Sequence, residues 1–580
     1  FHAEPVACPN CGPELSFHFD NTVVNGNEAA LKNAVQALQQ GKVVAVKGIG
    51  GYHLMCDATN DNAVLRLRQN KPRPHKPLAV MFPSPADQPF KLAELAVVLT
   101  DDDKTFLLKP ARPILLVAKK ITAVLSPHIA PGLNEVGMML PYSPLHHLLL
   151  NDFGKALVAT SANISGEPVL TQNEDVEKRL AHVADAFLHH NRPIERPADD
   201  PVYRTIARKP RPIRTGRGSA PMELTLPFEL KQPVLAVGAH MKNVITLAWK
   251  NRAVVSPHIG EMDSARSVAV FEHTIRDLQT LYDIKAKLII CDAHPGYTST
   301  RWAKKQNLPL HTVYHHHAHA AAAWFECDTR DKIMAFTWDG VGYGEDGTLW
   351  GGETFIGKPG AWQRVASMRP FYLPGGDKAG REPWRSAAAL CWEIGKAYDA
   401  MPQVDTLLMQ AWQRKLNAPQ STSVGRLFDA AAALTGVRTC ASFEGQGPME
   451  FEALCGGSPV ESADDIKLEL NKTAGLYVTD WQPLVSAMLD ASLTMNERAL
   501  MFHASLARAM LQQAKVIRHE HGVDHVSFSG GVFQNRVLTE YAMALLAEDG
   551  FKVFLPERIP VNDAGISFGQ VVEYGYGSLL

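Results

Sequence analysis

Val313 to Glu353 reads VYHHHAHAAAAWF and then, after a short connection, IMAFTWDGVGYGEDGTLWGGE. The alanine run predicts a helix over Ala318 to Phe325. Continued back over the histidines, it sets His315 and His319 one turn apart on one face, the spacing a metal needs from two imidazoles. His316 and His317 cannot both point with that pair. The second half is an apolar, strand-like run from Ile333 to Thr337 that ends at Asp339 and opens a loop rich in glycine, with Gly340, Gly342, Gly344 and Gly347. Glycines let backbone N–H groups approach an anion closely, and a carboxylate at a strand end can hold a metal. A lone HxxxH is as often surface decoration as a ligand pair, and DG turns are usually hairpin connections. Their occurrence together points to a metal beside a phosphate cradle.

The chain has 580 residues, more than one core serves, so two to four domains are expected. A net charge of −2 provides no global basic field, which argues against nucleic acid as a partner. No apolar run reaches the length of a membrane helix, and FHAEPVACPNCGP lacks the basic-then-apolar order of a signal peptide. The eight cysteines are thinly spread, and only Cys8 and Cys11 cluster. That is no disulfide framework, so a reducing cytoplasm is the expected compartment. Cys56, Cys291, Cys327, Cys391, Cys440 and Cys455 show no pairing pattern and are expected in the core. A tetrahedral zinc needs four ligands, and no second CxxC follows Cys8-Pro-Asn-Cys11. The motif is either the end of a zinc module or a turn that binds no metal; the first is expected, with Cys8 and Cys11 half of a structural zinc site completed by an upstream segment of a longer protein.

The pattern EAALKNAVQALQQ predicts an amphipathic helix stopped by Gly41, and VVAV a buried strand after it. Further on, Asn70-Lys71-Pro72-Arg73-Pro74-His75-Lys76-Pro77 is a cationic segment stiffened by proline, able to hold Lys71 and Arg73 as an anion clamp. A solvated basic turn fits those residues equally well when they are read alone. The buried strand Ala156 to Thr160 then runs into Ser161-Ala162-Asn163-Ile164-Ser165-Gly166, small hydroxyl and amide groups suited to a phosphate or ribose. Ile213-Arg214-Thr215-Gly216-Arg217-Gly218 is a further cationic loop.

Lys71-x-Arg73 with Lys76-Pro77-Leu78, followed by Thr160-Ser161-Ala162-Asn163-x-Ser165-Gly166, resembles the YrdC/Sua5 family over about residues 25–220. That resemblance implies an enzyme that uses ATP and a carboxylated amine to make a carbamoyl-type adenylate and pyrophosphate. It also implies that Lys71, Arg73, Ser161, Asn163 and Arg214 contact the ATP phosphates and the acyl group. The threonine-pocket opening of the family is replaced here by Lys47-Gly-Ile-Gly-Gly-Tyr52-His53, which speaks against threonine as substrate.

Pro221 to Pro233 contains prolines, carries little charge and reads as a linker. Alternating apolar residues around Lys242-Asn243 predict a hairpin, then come the helix SVAVFEHTIRDLQTLYD and the buried strand AKLIICDAHP. Repeated strand–helix alternation argues for α/β architecture. The region from Pro383 to Leu434 is rich in helix and includes Gly425 and Asp429. HVSFSGGVFQN runs a strand into Ser529-Gly530-Gly531, with Asn535 opening a helix, again a backbone cradle for phosphate or adenosine. Asp563 heads a helix of small residues, where by itself it reads as an N-cap.

Residues from about 232 to 580 resemble the actin/Hsp70-type nucleotide-binding superfamily, specifically its TsaD/Kae branch and related carbamoyltransferases. The matching positions are HxxxH at His315 and His319, Asp339, Ser529-Gly530-Gly531 and Asp563. The resemblance implies a zinc or iron ion on His315, His319, Asp339 and Asp563 that orients nucleotide phosphates. The nucleotide-binding candidates are Gly340, Gly342, Gly425, Asp429, Gly530, Gly531 and Asn535, and Lys71, Arg73, His315 and His319 are the catalytic ones.

Together these readings give an α/β chain in three parts: a zinc-finger remnant (1–24), a YrdC-like domain forming the adenylate (25–228), and a two-lobed actin/Hsp70-type domain (229–580). In that order they resemble the carbamoyltransferases of nickel–iron hydrogenase maturation. The resemblance implies carbamoyl phosphate and ATP with magnesium as substrates, carbamoyl-adenylate as intermediate, and the C-terminal cysteine of HypE as acceptor. Complete members of the family carry structural zinc. Three alternatives share some of these features: an O-carbamoyltransferase acting on a small hydroxyl compound, a tRNA threonylcarbamoyl-adenosine synthase, and a nucleotide-binding scaffold without turnover. The domain order and Cys8/Cys11 argue against the first, and the near-neutral charge and altered pocket loop against the second. ATP–pyrophosphate exchange separates the third.

Overall fold

The computed structural model describes residues 12–120, 124–164, 166–401, 406–457 and 460–578. Cys8, Cys11 and Ser165 lie outside the described residues. The chain forms two compact units, one reaching to Met222 with Ser256–Asp277 added, the other made of Glu223–Val255 and Leu278–Leu580. Among the described residues no helix is long and apolar enough to cross a membrane.

The first unit is built on an eleven-stranded mixed sheet. Successive residues of Val44–Lys47 face opposite ways, so Val43 and Ala45 enter one core and Val44 and Val46 another. Tyr52–Asp57 pairs antiparallel with both Val44–Lys47 and Leu157–Ser161, with His53 opposite Ser161. This register brings the end of the Ala156–Thr160 run beside the loop after Lys47. Leu15–Phe19 and Thr22–Asn25 also join this sheet, through Ala186–His190.

The second unit has two sheets. In the four-stranded one, Leu288–Asp292 lies parallel between Met222–Ala236 and Leu310–Val313. The segment read as a linker is therefore wrong as a linker: Met222–Ala236 is a strand with Leu224, Leu226, Phe228 and Leu230 buried. Only Val234–Ala236 of it pair with Leu288–Asp292, so Pro227 sits where no N–H is required on that side. In the larger sheet, Ile333–Tyr343 pairs antiparallel with Leu349–Lys358 and parallel with His525–Ser529, Thr337 opposite Ser529.

The helix predicted from Ala318 starts earlier, at His315, and runs to Glu326. It follows directly on the strand Leu310–Val313. It is buried along almost its whole length, which its alanines permit, and Ile566–Gly577 packs across it. At the crossing, a Cβ on Gly569 would lie 1.9 Å from the Ala318 carbonyl oxygen, so only glycine fits. Of the cysteines expected in the core, Cys440 is exposed, in the loop after the helix Val424–Leu434; the other five are buried.

Candidate metal centre and nucleotide sites

Four side chains from three elements meet. His315 and His319 project from the first turns of His315–Glu326, Asp339 from the strand Ile333–Tyr343, and Asp563 from the start of the last helical segment. One ligand atom from each lies within 4.8 Å of the others. His315 Nε2 is 3.4 Å from Asp339 Oδ2 and 3.8 Å from Asp563 Oδ1; the His319 Nε2 distances are 3.7 and 3.9 Å. These gaps exceed a hydrogen bond, which closes at about 3.2 Å. They approach the spacing of ligand atoms around a tetrahedral cation, about 3.3 Å for bonds near 2.0 Å. Both Nε2 atoms are buried without a hydrogen-bond partner. Two orphaned ring nitrogens facing two carboxylates are a donor set suited to zinc or iron.

The other ring nitrogens are fixed. His315 Nδ1 lies 2.8 Å from Asp292 Oδ2, and His319 Nδ1 lies 3.1 Å from Ser529 Oγ. Such outer partners set the tautomer and aim the free lone pair inward. Asp339 Oδ1 accepts the Gly531 N–H at 2.8 Å, leaving Oδ2 for the cluster. Burial opposes charge on His315, but Asp292, Asp339 and Asp563 outweigh it and hold the imidazole well above its usual range. Burial likewise pushes Asp339 up, but the two imidazoles hold it well below the usual carboxylate range. Asp563, which as an isolated residue reads as a cap, is not one: Asn562 takes that place, its Oδ1 accepting the Ala564 N–H at 3.0 Å.

The glycine-rich run is not an open loop at its start. Gly340 and Gly342 stay in the strand Ile333–Tyr343, where the pairing slips between Trp338 and Gly342. Gly342 makes room for the His315 and His316 rings. Gly425 lets the helix Val424–Leu434 close onto Asp339 and Gly340. On that helix Asp429 is buried, which pushes its carboxyl up to about 6 although Arg426 lies 3.1 Å away. Gly530 has φ +104° and a Cβ there would strike the Trp338 carbonyl, so the Ser529-Gly530-Gly531 turn requires glycine. Asn535 caps Arg536–Glu548 through the Leu538 N–H.

Three residues near this centre had no distinctive signal in the sequence. Asp292 ends a buried strand, Lys242 sits in a hairpin turn at φ +45°, and Glu444 lies in a loop. Lys242 Nζ donates to Glu444 at 2.7 and 2.8 Å. Burial opposes its charge, but Glu444, Asp563 and Asp339 raise the ammonium above its usual value.

In the first unit the candidate phosphate ligands also converge. Lys71 Nζ donates to the Ser161 carbonyl at 2.5 Å and to Asn163 Oδ1 at 3.0 Å. Arg73 donates to Thr160 Oγ1 at 3.0 Å, and Arg214 to the Asp200 carbonyl at 2.9 and 3.0 Å. Arg68, which the sequence did not single out, is buried and donates to the carbonyls of Arg73, Pro74 and Lys76, so it shapes the cationic segment. Burial first, then Arg73 and Lys76, hold the Lys71 ammonium well below its usual value. A cation packed against cations is relieved by a bound anion.

Family models match most of the chain. The HypF finger matches residues 1–18, a model described as telomere recombination and shared by Sua5, YciO and YrdC proteins matches 36–216, the HypF Kae1-like domain matches 229–326, and the second subdomain of a carbamoyltransferase Kae1-like domain matches 335–570. The carbamoyltransferase HypF of Synechocystis is 39% identical over 578 residues, covering 95% of this chain and 73% of that protein. That of Rhizobium leguminosarum bv. viciae is 38% identical, covering 93% and 71%. A crystal structure of full-length HypF in the phosphate- and nucleotide-bound form superposes with a TM-score of 0.92 at 35% identity, covering 99% of this chain and 76% of that one. The fold is thus a YrdC-like domain followed by Kae1-like domains, and the chain belongs to the HypF family of carbamoyltransferases.

Proposed function

We propose that this carbamoyltransferase acts in nickel–iron hydrogenase maturation, making carbamoyl-adenylate in its YrdC-like domain and transferring the carbamoyl group in its Kae1-like domain to the C-terminal cysteine of HypE. The observation that carries the reading is the convergence of His315, His319, Asp339 and Asp563 with both Nε2 atoms orphaned. The cationic set of Lys71, Arg73 and Arg214 supports the first half-reaction, as does the related structure with phosphate and nucleotide bound.

In the first step carbamate, derived from carbamoyl phosphate, attacks the α-phosphorus of magnesium-bound ATP. A P–O bond forms, the bond to pyrophosphate breaks, and pyrophosphate leaves with the electron pair. Lys71 and Arg73 neutralise the charge that grows on the leaving group, and Ser161 and Asn163 hold Lys71 in place. In the second step the cysteine thiolate attacks the carbamoyl carbon, a C–S bond forms, the C–O bond breaks and AMP leaves. The nucleotide is held by Gly340, Gly425, Asp429, the Ser529-Gly530-Gly531 turn and the region around Asn535. A zinc or iron ion on His315, His319, Asp339 and Asp563 would supply positive charge for the nucleotide phosphate. No side-chain base is assigned, because a thiol ionises near neutral pH.

The test is to incubate the protein with ATP, carbamoyl phosphate and full-length HypE and to map modification by mass spectrometry. Carbamoylation of the HypE C-terminal cysteine is expected. An unmodified HypE, with ATP–pyrophosphate exchange intact, would point to another acceptor and sink the assignment.

A further inference from the structure

The first unit also carries a cluster of histidine and carboxylate, His18, Glu177 and His189. Leu15–Phe19 pairs antiparallel with Ala186–His190, placing Ser16 opposite His189 and His18 opposite Phe187. His18 and His189 are therefore diagonal neighbours on one face of the sheet, and Phe17 and Leu188 turn to the core on the other. The helix Asn173–Leu180 lays Glu177 over that face. His18 Nδ1 and His189 Nε2 both lie 2.8 Å from Glu177 Oε1, and the rings meet edge to face at 4.7 Å. His18 Nε2 is 3.1 Å from Ser16 Oγ.

The protons behind this cluster can be counted. Lys47 Nζ only donates, and it reaches Asn173 Oδ1 at 2.8 Å, which fixes that atom as the amide oxygen. The Tyr52 hydroxyl lies 2.7 Å from the same oxygen and 2.7 Å from His189 Nδ1. Two oxygens that close need a proton between them, so the single hydroxyl proton points to Asn173. His189 Nδ1 must then donate to the Tyr52 oxygen. In the neutral ring this leaves the Nε2 lone pair facing the Glu177 carboxylate at 2.8 Å, which is repulsive unless something positive lies between. A second ring proton fills that place at 2.8 Å, and a metal ion would fill it once the gap opens to about 3.3 Å.

We propose that His18, Glu177 and His189 form a binding site for a divalent transition-metal cation of the zinc class. Two imidazoles and one carboxylate are a common donor set for such an ion. Glu177 and His18 are partly exposed, which leaves a route for entry and a position for water, and His189 is held from behind by Tyr52 as an outer partner. The site would tie Leu15–Phe19, where the finger match ends, to the sheet and to Asn173–Leu180. This inference does not depend on the proposed reaction.

The experiment uses the full chain, stripped with chelator and dialysed against buffered free zinc, with bound metal counted by mass spectrometry. His18→Ala and Glu177→Gln are each expected to weaken one zinc equivalent at least tenfold. His319→Ala should remove a different equivalent, so that the double variant His18→Ala/His319→Ala loses both. Zinc should also raise the melting temperature of wild type more than that of Glu177→Gln, with both melting alike in chelator. Equal zinc affinity and count in wild type, His18→Ala and Glu177→Gln would overturn the proposal and leave a protonated His189–Glu177 pair in its place.

Discussion

Asp292→Asn tests how the proposed metal centre is aimed. Asp292 is fully buried and uses both carboxylate oxygens: Oδ1 accepts the His294 N–H at 2.8 Å, and Oδ2 faces His315 Nδ1 at 2.8 Å. An asparagine has one oxygen and one NH2 group, so it cannot accept from both. If its oxygen stays on His294, the amide N–H meets His315 Nδ1, which must become the acceptor. The ring proton then moves to Nε2 and blocks the lone pair that faces Asp339 and Asp563. If the amide flips, His315 keeps its tautomer but the partly buried His294 N–H is left facing a donor. Loss of an outer partner of a metal-bound histidine costs about 10–100-fold in metal affinity. That is about 1.4–2.7 kcal/mol, comparable to the penalty for a buried unsatisfied group, about 1–3 kcal/mol. Zinc competition with a chromophoric chelator reads the affinity, and urea melts in chelator read stability. The expected result is a loss of affinity in that range with ATP–pyrophosphate exchange unchanged. Affinity within twofold of wild type would refute the reasoning.

Asn562→Ala removes the cap that frees Asp563; a cap is worth about 1 kcal/mol, and we expect Asp563 to turn toward the vacated N–H, so metal affinity should fall together with stability, as read by chelator competition and urea melts. Gly569→Ala would drive a Cβ against the Ala318 backbone at 1.9 Å; helices that must separate cost about 1–3 kcal/mol, and because the displaced helix carries His315 and His319, a lower melting temperature should come with weaker metal binding. Glu573 is held up to about 7 by burial, against the Trp362 indole and Gly360 N–H that favour its charge. The folded state therefore binds the proton more tightly than the unfolded one, so this contribution to stability is full below about pH 4.5 and is lost as the pH rises to about 7. The loss is at most about 3 kcal/mol for a side chain only partly buried, and Glu573→Gln should flatten the slope of stability against pH over that window in urea melts.

Much of the candidate metal centre was legible as a cluster, because helical geometry fixes the relation of His315 to His319 whatever surrounds them. Asp339 was legible as a charged residue ending an apolar run. Asp563 was not, when read alone: a short helix start offers Asn562 and Asp563 as equal caps, and only the folded chain shows that Asn562 takes the backbone N–H. Asp292 gave no local sign of its role and Ser529 was read only as part of a backbone cradle, since each is the last residue of a buried strand until parallel pairing brings it behind a histidine. The misread strand Met222–Ala236 shows a different limit. Its prolines signal a linker, yet its alternation of buried and exposed residues is that of a strand, and proline is tolerated where one edge lacks a partner. The glycines after Asp339 were read as a phosphate loop, but at Gly342 the absent side chain is needed to seat two imidazole rings. In the first unit, Lys71, Arg73, Ser161, Asn163 and Arg214 stood out as candidates from cationic and small polar segments and then from family resemblance, whereas Arg68, which bonds carbonyls of the 71–77 segment, looked like an ordinary helix residue.

If adenylation and transfer belong to different residues, mutation should separate the two half-reactions. ATP–pyrophosphate exchange and carbamoylation of HypE are followed in the same tubes for wild type, Lys71→Ala and His319→Ala. Removing a cation that stabilises the leaving pyrophosphate should cost Lys71→Ala about 10²–10³-fold in exchange, with transfer lost in consequence. His319→Ala should exchange at the wild-type rate and fail to carbamoylate HypE. Normal transfer by His319→Ala, or loss of exchange in both variants alike, would contradict the account.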